Sequence, residues 1–294
     1  MHDRIFKTLF RAFLSDLLHL VFPRVAERLD FSYPVFLDKE LFTDWPKGTR
    51  RELDLLAQIL LHDSDDFLLV HVEIEARATE GMGRRMWGYR SQIQALHNCR
   101  VLPIVVNVRR GRPGIHLETL EDDLLGPELE GFRYFSFGLA GGNARGFLTR
   151  PQPLAWGLAA LMDPGPLGRV EHKLACLRRI ATAELNDVQR FLLVNCVESY
   201  LKLNPEEAAE LEALSRLEEN REVHTMAMTW AERMIAQGRE QGARQVVLHL
   251  LDERFGSVPD RVRRQIEEIE SVDRLIRLAG DVVRARSLDE TGLG

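Results

Sequence analysis

The sequence is short of cysteine, lacks any long apolar run and has no excess of positive charge, and each shortage removes a class of protein. Cys99, Cys176 and Cys196 are the only cysteines and lie far apart. They fit neither a disulfide framework nor a zinc knuckle, and the usage suits the reducing cytoplasm. No window of about 18 uninterrupted apolar residues is there to span a bilayer. Asp3, Arg4, Lys7 and Arg11 thread the apolar N-terminus, unlike a secretory signal, so a soluble protein with no membrane partner is expected. Lys and Arg total 39 against 45 Asp and Glu, a net charge of -6. A polyanionic partner would therefore have to be met by a local basic patch rather than by the bulk charge. What the chain does have is a core: 294 residues, 45% of them hydrophobic, amount to about two domains' worth of length.

Periodicity divides the chain in two. Ile5, Phe6, Leu9, Phe10, Phe13, Leu14, Leu17 and Leu18 follow the spacing of one amphipathic helix over residues 5–22, with Pro23 beyond its end. Pro34, Pro46 and Gly48 then break the pattern into short extended pieces. Residues 52–61 and 67–75 read as two strands of a β-hairpin about the polar cluster His62–Asp66. Met86, Tyr89, Ile93 and Leu96 mark a helix over 84–98, and 101–108 is a short β-branched run suited to a buried strand. Residues 132–137 offer one more strand, and helical periodicity dominates after Pro153. The expected division is an α/β domain over 1–140, a helical region over 150–235 and a small helical domain over 240–294. In the last of these, Gly256 suits a helix C′ position and Pro259 the first residue of the next helix. Gly238 and Gly242 on one helix each cost about 1 kcal/mol against Ala, which a close helix contact would explain. Residues 195–222 hold eight acids against three bases, the mark of a solvated face.

The chemically loaded residues lie on the hairpin. Period-2 geometry puts Glu73 and Glu75 on one face, with His71 and Arg77 sharing it. A turn centred near Ser64 pairs residues whose numbers sum to about 127 or 128, which brings Asp54 opposite Glu73 or Ile74. Carboxylates that converge so closely repel unless they are solvated or hold a cation, and a hard divalent ion, Mg²⁺ or Mn²⁺, would resolve the conflict. Spacing alone equally describes the wet face of a half-exposed hairpin. The neighbourhood adds weight to the first reading: Arg77, Arg84, Arg85, Arg90, Arg100, Arg109, Arg110 and Arg112 face one acid, Glu80, across residues 77–112. Arginines beside a metal-competent acidic cluster are what phosphodiester chemistry requires, whereas solvated arginines at element ends are the plainer reading. Arg85, Tyr89 and Gln92 share a helical face that could track a DNA strand, with half-buried core as the alternative for Tyr89. His71 reads as a structural strand histidine, and Cys99 lacks a base facing it.

His2-Asp3-Arg4-Ile5-Phe6-Lys7-Thr8-Leu9-Phe10, Arg51-Glu52-Leu53-Asp54-Leu55-Leu56, His71-Val72-Glu73-Ile74-Glu75 and Arg85-Met86-Trp87-Gly88-Tyr89, taken in order, resemble the transposase-like recombination-promoting nuclease (Rpn) family of the PD-(D/E)XK superfamily. The match covers roughly residues 1–110. The tail from Gly242 to Leu288 is similar to a helical domain that follows such nuclease-like domains in bacteria. The resemblance implies a restriction-endonuclease-like α/β core of helix, antiparallel hairpin, helix and strand, followed by an all-helical C-terminal half. It implies that Asp54 and Glu73 hold the metal, with the Ile74 carbonyl as a further ligand, and gives Asp3 and Lys7 an accessory role. The departure is Glu75, which stands where the superfamily has lysine and this family commonly glutamine. A carboxylate there could act as general base or as ligand to a second ion, with Arg77 supplying the missing positive charge.

The leading expectation is a metal-dependent DNA endonuclease with catalytic residues Asp54, Glu73 and Glu75, and with Arg77, Arg84, Arg85, Tyr89, Arg109 and Arg110 contacting nucleic acid. Its rival is a non-catalytic DNA- or protein-binding module on the same fold. A third reading, an oligomeric scaffold, needs only the acidic helices and self-association through the helical half.

Overall fold

Where the apolar spacing predicts one helix, the chain forms two, α1 (His2–Ala12) and α2 (Leu14–Val21). Phe13, at φ -126° and ψ 37°, leaves the helical region. The hydrogen bonds survive the turn: Phe13 N–H donates to Leu9 O at 3.0 Å and Leu17 N–H to Phe13 O at 2.9 Å. The change of direction lets Phe6, Leu9 and Phe10 on the first helix and Leu14, Leu17 and Leu18 on the second all be buried, a larger gain than one distorted residue costs. The computed structural model describes residues 2–37, 41–44, 49–62, 64, 66–77, 80–121, 131–256, 258–269, 271–285 and 287–293. Of the expected hairpin turn, Asp63 and Asp65 lie outside the described residues.

The chain continues through α3 (Pro23–Ala26), β1 (Leu29–Phe36), β2 (Leu41–Asp44), β3 (Thr49–Glu52), β4 (Leu55–Leu61), β5 (Phe67–Arg77), α4 (Met82–His97), β6 (Arg100–Arg110), β7 (Gly114–Glu121) and β8 (Gly131–Gly138). Among the described residues, six strands form a mixed sheet in the order β1-β4-β5-β6-β8-β7, and β2 pairs with β3 separately. β4 and β5 are antiparallel with Leu55 opposite Val72 and Leu56 opposite His71, the register expected from the turn. β5 and β6 are parallel, so the chain must cross over between them, and α4 makes that crossing. Leu56, Leu69 and Val105 on one sheet face pack with Met82, Met86, Tyr89 and Ile93 of the crossover helix. Val70, Val72, Ile104 and Val106 alternate to the other face and are buried too, which is why β5 and β6 read as nearly continuous apolar runs. α1 lies against β5. The edge strand β7 escaped the sequence reading because it pairs with β8 alone and leaves Ile115 and Leu117 partly exposed, so it carries no buried apolar run.

Helices α5 (Ala144–Leu148), α6 (Pro153–Ala159), α7 (Arg169–Ala181), α8 (Asp187–Tyr200) and α9 (Pro205–Ser215) follow. The first half is thus α/β and the second mainly helical. Asn186 and Asn204 start α8 and α9 with reciprocal capping bonds to Gln189 and Glu207. The sheet and these helices make one compact unit, Met1–His224. α10 (Arg221–Phe255) runs into the second unit, Thr225–Gly294, which adds α11 (Asp260–Glu267) and α12 (Val272–Arg284). That unit has its own core of Val247, Leu251, Val258, Val262, Ile266, Leu275, Leu278 and Val282. Gly256, at φ +78°, ends α10 as expected. Pro259 precedes α11 as its N-cap rather than opening it, one residue from the expected place. Among the described residues, no helix is long and apolar enough to cross a membrane.

The α10 glycines do not have the close contact expected of them: a Cβ at Gly238 or Gly242 would meet nothing within 4 Å. At Gly157 of α6, by contrast, a Cβ would come 2.8 Å from Leu193 Cδ2 on α8. Gly157→Ala is therefore expected to destabilise by about 1–3 kcal/mol through overpacking, whereas Gly238→Ala and Gly242→Ala should each stabilise by about 1 kcal/mol. Calorimetric melting of the full chain checks both, and a lower melting temperature in the α10 variants would contradict the open environment.

Candidate functional site

The β4–β5 ladder ends at Leu55 and Val72. One residue further out, side chains take over its hydrogen bonds. Asp54 N–H donates to Glu73 Oε1 at 3.3 Å, and Ile74 N–H donates to Asp54 Oδ2 at 2.8 Å. Each carboxylate is thus tied to the other strand's backbone, and residues separated by 19 positions in sequence become neighbours. Sequence register alone leaves the side-chain rotamers open; these two bonds settle them.

Cations approach from two helices. Lys7 Nζ of α1 lies 2.8 Å from Asp54 Oδ1. Arg85 of α4 binds Glu75 through Nη2, and the same nitrogen is 3.9 Å from Glu73 Oε2. His71, fully buried, bonds through Nε2 to Glu73 Oε1 at 2.9 Å and stands edge-on to Tyr89, ring centres 5.4 Å apart. Because a carboxylate only accepts, Nε2 carries the proton of that bond. His71 Nδ1 and Arg85 Nε are buried with no hydrogen-bond partner.

Burial raises the Asp54 carboxyl above its ordinary value and the charge of Glu73 adds to the rise, outweighing the bonds from Lys7 and from Ile74 N–H. For Arg85, burial acts to lower the pKa, but the bond and charge of Glu75, joined by the charge of Glu73, prevail and hold it above its usual value. Ionising Asp54 is therefore costlier in the folded protein than in water, whereas the charge of Arg85 beside Glu75 is favoured.

The expected site residues part company here. Asp54, Glu73, Glu75, Lys7 and Arg85 come together, with Ile74 supplying its N–H. Arg85, expected on nucleic acid, is committed to the acids. Tyr89, 5% exposed, belongs to the core under α4, which corrects its expected place on a DNA-tracking face. Arg77 and Arg110 are register partners at the carboxyl ends of the parallel strands, and these two, Arg109 and Arg84 are exposed. Asp3 falls on α1, but its side chain is outside the described residues. The part played by His71 at Glu73 and the pairing of Arg85 with Glu75 were missed. Period-2 placement of His71 on the Glu73 face hinted at the first; no spacing rule links a crossover helix to a strand ten residues earlier, so nothing signalled the second.

The donor set suits a hard divalent ion in part. Asp54 and Glu73 offer carboxylate oxygens, and Glu73 Oε2 makes no hydrogen bond among the described residues. Mg²⁺ is commonly held by one or two carboxylates with water and phosphate completing its shell. Among the described residues, no three His, Cys, Asp or Glu side chains are grouped to hold a metal, since Glu75 turns to Arg85 and His71 to Glu73. No family model matches the chain, and neither does any curated protein or solved structure.

Because the folded state raises the Asp54 pKa, ionising that group weakens the fold, and stability is lost as pH rises from the unfolded value near about 3.9 through the raised folded value. Asp54→Asn keeps an acceptor for Ile74 N–H and does not titrate. Its melting temperature should exceed that of wild type at pH 7, with the gap closing below about pH 4. Thermal melts across this range test the assignment, and a gap that does not change with pH rejects it.

Proposed function

We propose that the chain is a metal-dependent DNA endonuclease on a PD-(D/E)XK-type core, akin to the recombination-promoting nucleases, hydrolysing phosphodiester bonds. The observation that carries this reading is the meeting of Asp54 and Glu73 at the end of the β4–β5 ladder, with a distance of 3.3 Å from Asp54 N to Glu73 Oε1. The order helix, antiparallel hairpin, crossover helix and parallel strand supports it. So does the raised pKa of Asp54, caused by burial and by the charge of Glu73, since a pair of repelling acids is what a bound cation would relieve.

In this reading Asp54 and Glu73 hold Mg²⁺ or Mn²⁺, with the Ile74 carbonyl as a further ligand. When bound, such an ion polarises a phosphoryl oxygen and makes water a better nucleophile. The chain's own residues do the rest. Ile74 N–H and Asp54 N–H aim the two carboxylates, His71 holds Glu73 from beneath, and Lys7 offsets charge at Asp54. Arg77, Arg109 and Arg110, exposed at the carboxyl ends of the parallel strands β5 and β6, grip the DNA backbone. A second reading, a non-catalytic DNA-binding module, is favoured by one observation: Glu75, at the lysine position, is paired with Arg85.

Plasmid nicking with Mg²⁺, Mn²⁺ and EDTA separates the two. Wild type should nick only with the divalent ion, and Asp54→Ala and Glu73→Ala should each lose more than the roughly 10- to 100-fold that a supporting residue costs. Activity that survives in both variants places the chemistry elsewhere, and metal-independent DNA binding without nicking favours the module. Neutralising Arg77, Arg109 and Arg110 should flatten the salt dependence of duplex binding by up to about 0.9 log unit per lost phosphate contact. An unchanged slope removes this surface from the interface.

A further inference from the structure

Strands β6 and β8 run side by side for only part of their length. Their register partners extend from Ile104 opposite Phe135 to Asn107 opposite Gly138, although β6 starts at Arg100 and β8 at Gly131. Before Ile104 each strand keeps its other neighbour: Arg100 to Pro103 pair with Leu68 to His71 of β5, and Gly131 to Tyr134 pair with Glu121 to Glu118 of β7. The sheet is therefore split between two ladders at this end. Pro103 suits the split, because a proline has no N–H to donate and is placed in a sheet where one side of its strand lacks a neighbour. Backbone groups on the facing sides of the two strands are left to the opening, where water or a ligand must satisfy them.

The opening is a cavity of about 460 Å³, within the size range of small-molecule sites. Leu102 and Pro103 of β6, Leu117 of β7 and Phe135 of β8 give it apolar walls, and two cations complete them, Arg90 of α4 and Arg133 of β8. The guanidinium carbon of Arg90 lies 5.6 Å from the centre of the Phe132 ring, which packs on the α4 side of the sheet. Arg133, next in sequence to Phe132, projects from the opposite face of the strand. The two cations thus reach the opening from the two faces of the sheet. Among the described residues neither is in an ion pair, and no carboxylate lines the cavity.

We propose that this opening binds a small organic anion, a phosphate or carboxylate group carried on an apolar ring or chain. Arg90 and Arg133 take the charged group, and Leu102, Leu117 and Phe135 take the apolar part. Two like charges facing one cavity repel, and an anion between them replaces that repulsion with charge-assisted hydrogen bonds. The planar fork of arginine matches carboxylate and phosphate alike, so the charges select the anion class and the walls select the body. A bare anion would leave those walls facing water, whereas an apolar body removes their surface from it. The site is independent of the nuclease reading. It lies at the amino end of β6, and Asp54, Glu73 and Glu75 take no part in its lining.

Titration calorimetry of the full-length protein with phenyl phosphate, benzoate, inorganic phosphate and benzyl alcohol tests the proposal. Phenyl phosphate or benzoate should bind one equivalent, and the tighter of the two identifies the acidic group. Inorganic phosphate and benzyl alcohol, each carrying one half of the ligand, should bind weaker by about 10-fold or more. Arg90→Gln and Arg133→Gln should each weaken the organic anion by about 10- to 100-fold, the loss of one hydrogen bond to a charged group. Leu117→Glu, which puts a carboxylate at the opening, should abolish binding. Arg112→Gln, at an exposed arginine outside the lining, should leave it unchanged. Inorganic phosphate that binds as tightly as phenyl phosphate overturns the proposal, and so does the failure of both organic anions to bind at millimolar concentration. Unchanged binding by Arg133→Gln overturns it as well. Arg133 is exposed, so this last test stands even if circular dichroism shows that Arg90→Gln, deprived of its contact with Phe132, does not fold.

Discussion

The reciprocal pair of bonds that closes the β4–β5 ladder is the constraint on which the rest of the site depends. A strand pair that ends at Leu55 and Val72 leaves backbone N–H groups beyond it in need of acceptors. Asp54 and Glu73 supply them, each reaching to the opposite strand. Their carboxylates are thereby fixed by the same register that positions the apolar residues of the hairpin. A one-residue slip would exchange the residues that β5 presents to the two buried faces, moving Leu69 off the α4 side and carrying Glu73 to the other face, so the packing of the sheet and the placement of the acids are enforced together.

Concentrating acids in this way is unfavourable by itself, and the surrounding architecture can be understood as its compensation. Lys7 arrives from a helix on one side of the sheet and Arg85 from the crossover helix on the other. Each belongs to a helix anchored by large buried residues, Phe6, Leu9 and Phe10 on α1 and Met86, Tyr89 and Ile93 on α4. Hydrophobic packing therefore sets the electrostatics: the apolar faces hold the helices, and the helices hold the charges. His71 joins the two layers, with its ring against Tyr89 in the core and its Nε2 on Glu73.

Much of this was readable in the sequence, for definite reasons. A short turn sets hairpin register, so counting residues brought Asp54 opposite Glu73 or Ile74, and the observed ladder, with Leu55 opposite Val72, selects Glu73. Strand-forming runs identified β5 and β6 and helical spacing identified α4 between them, whereas the parallel pairing that makes α4 a crossover is seen only in the structure. The pairing of Lys7 with Asp54 was less accessible, because it depends on how α1 lies across the sheet. The commitment of Arg85 to Glu75 was harder still: in a stretch with eight arginines, composition does not say which one turns inward. The division of residues 5–22 at Phe13 was hidden because both helices continue the same apolar spacing. Gly238 and Gly242 misled, since a glycine in a helix is as compatible with open solvent as with a close neighbour.

Phe6 of α1 rests against Tyr200 of α8, ring centres 5.3 Å apart. On a ribosome this means that α1 emerges well before one of the helices it packs against. At typical rates of about 5–20 residues per second, roughly 10–40 s separate the synthesis of the two. For that interval the nascent chain carries an amphipathic helix whose aromatic face has no finished surface to dock on, the kind of exposed segment that chaperones bind. Lys7 rides on that helix, which rests on β5 as well as on α8, so the surface that holds it is complete only when α8 has emerged. Full docking of α1 is thus tied to synthesis of the helical half, although Lys7 and Arg85, the cations at the acid cluster among the described residues, both come from the α/β half.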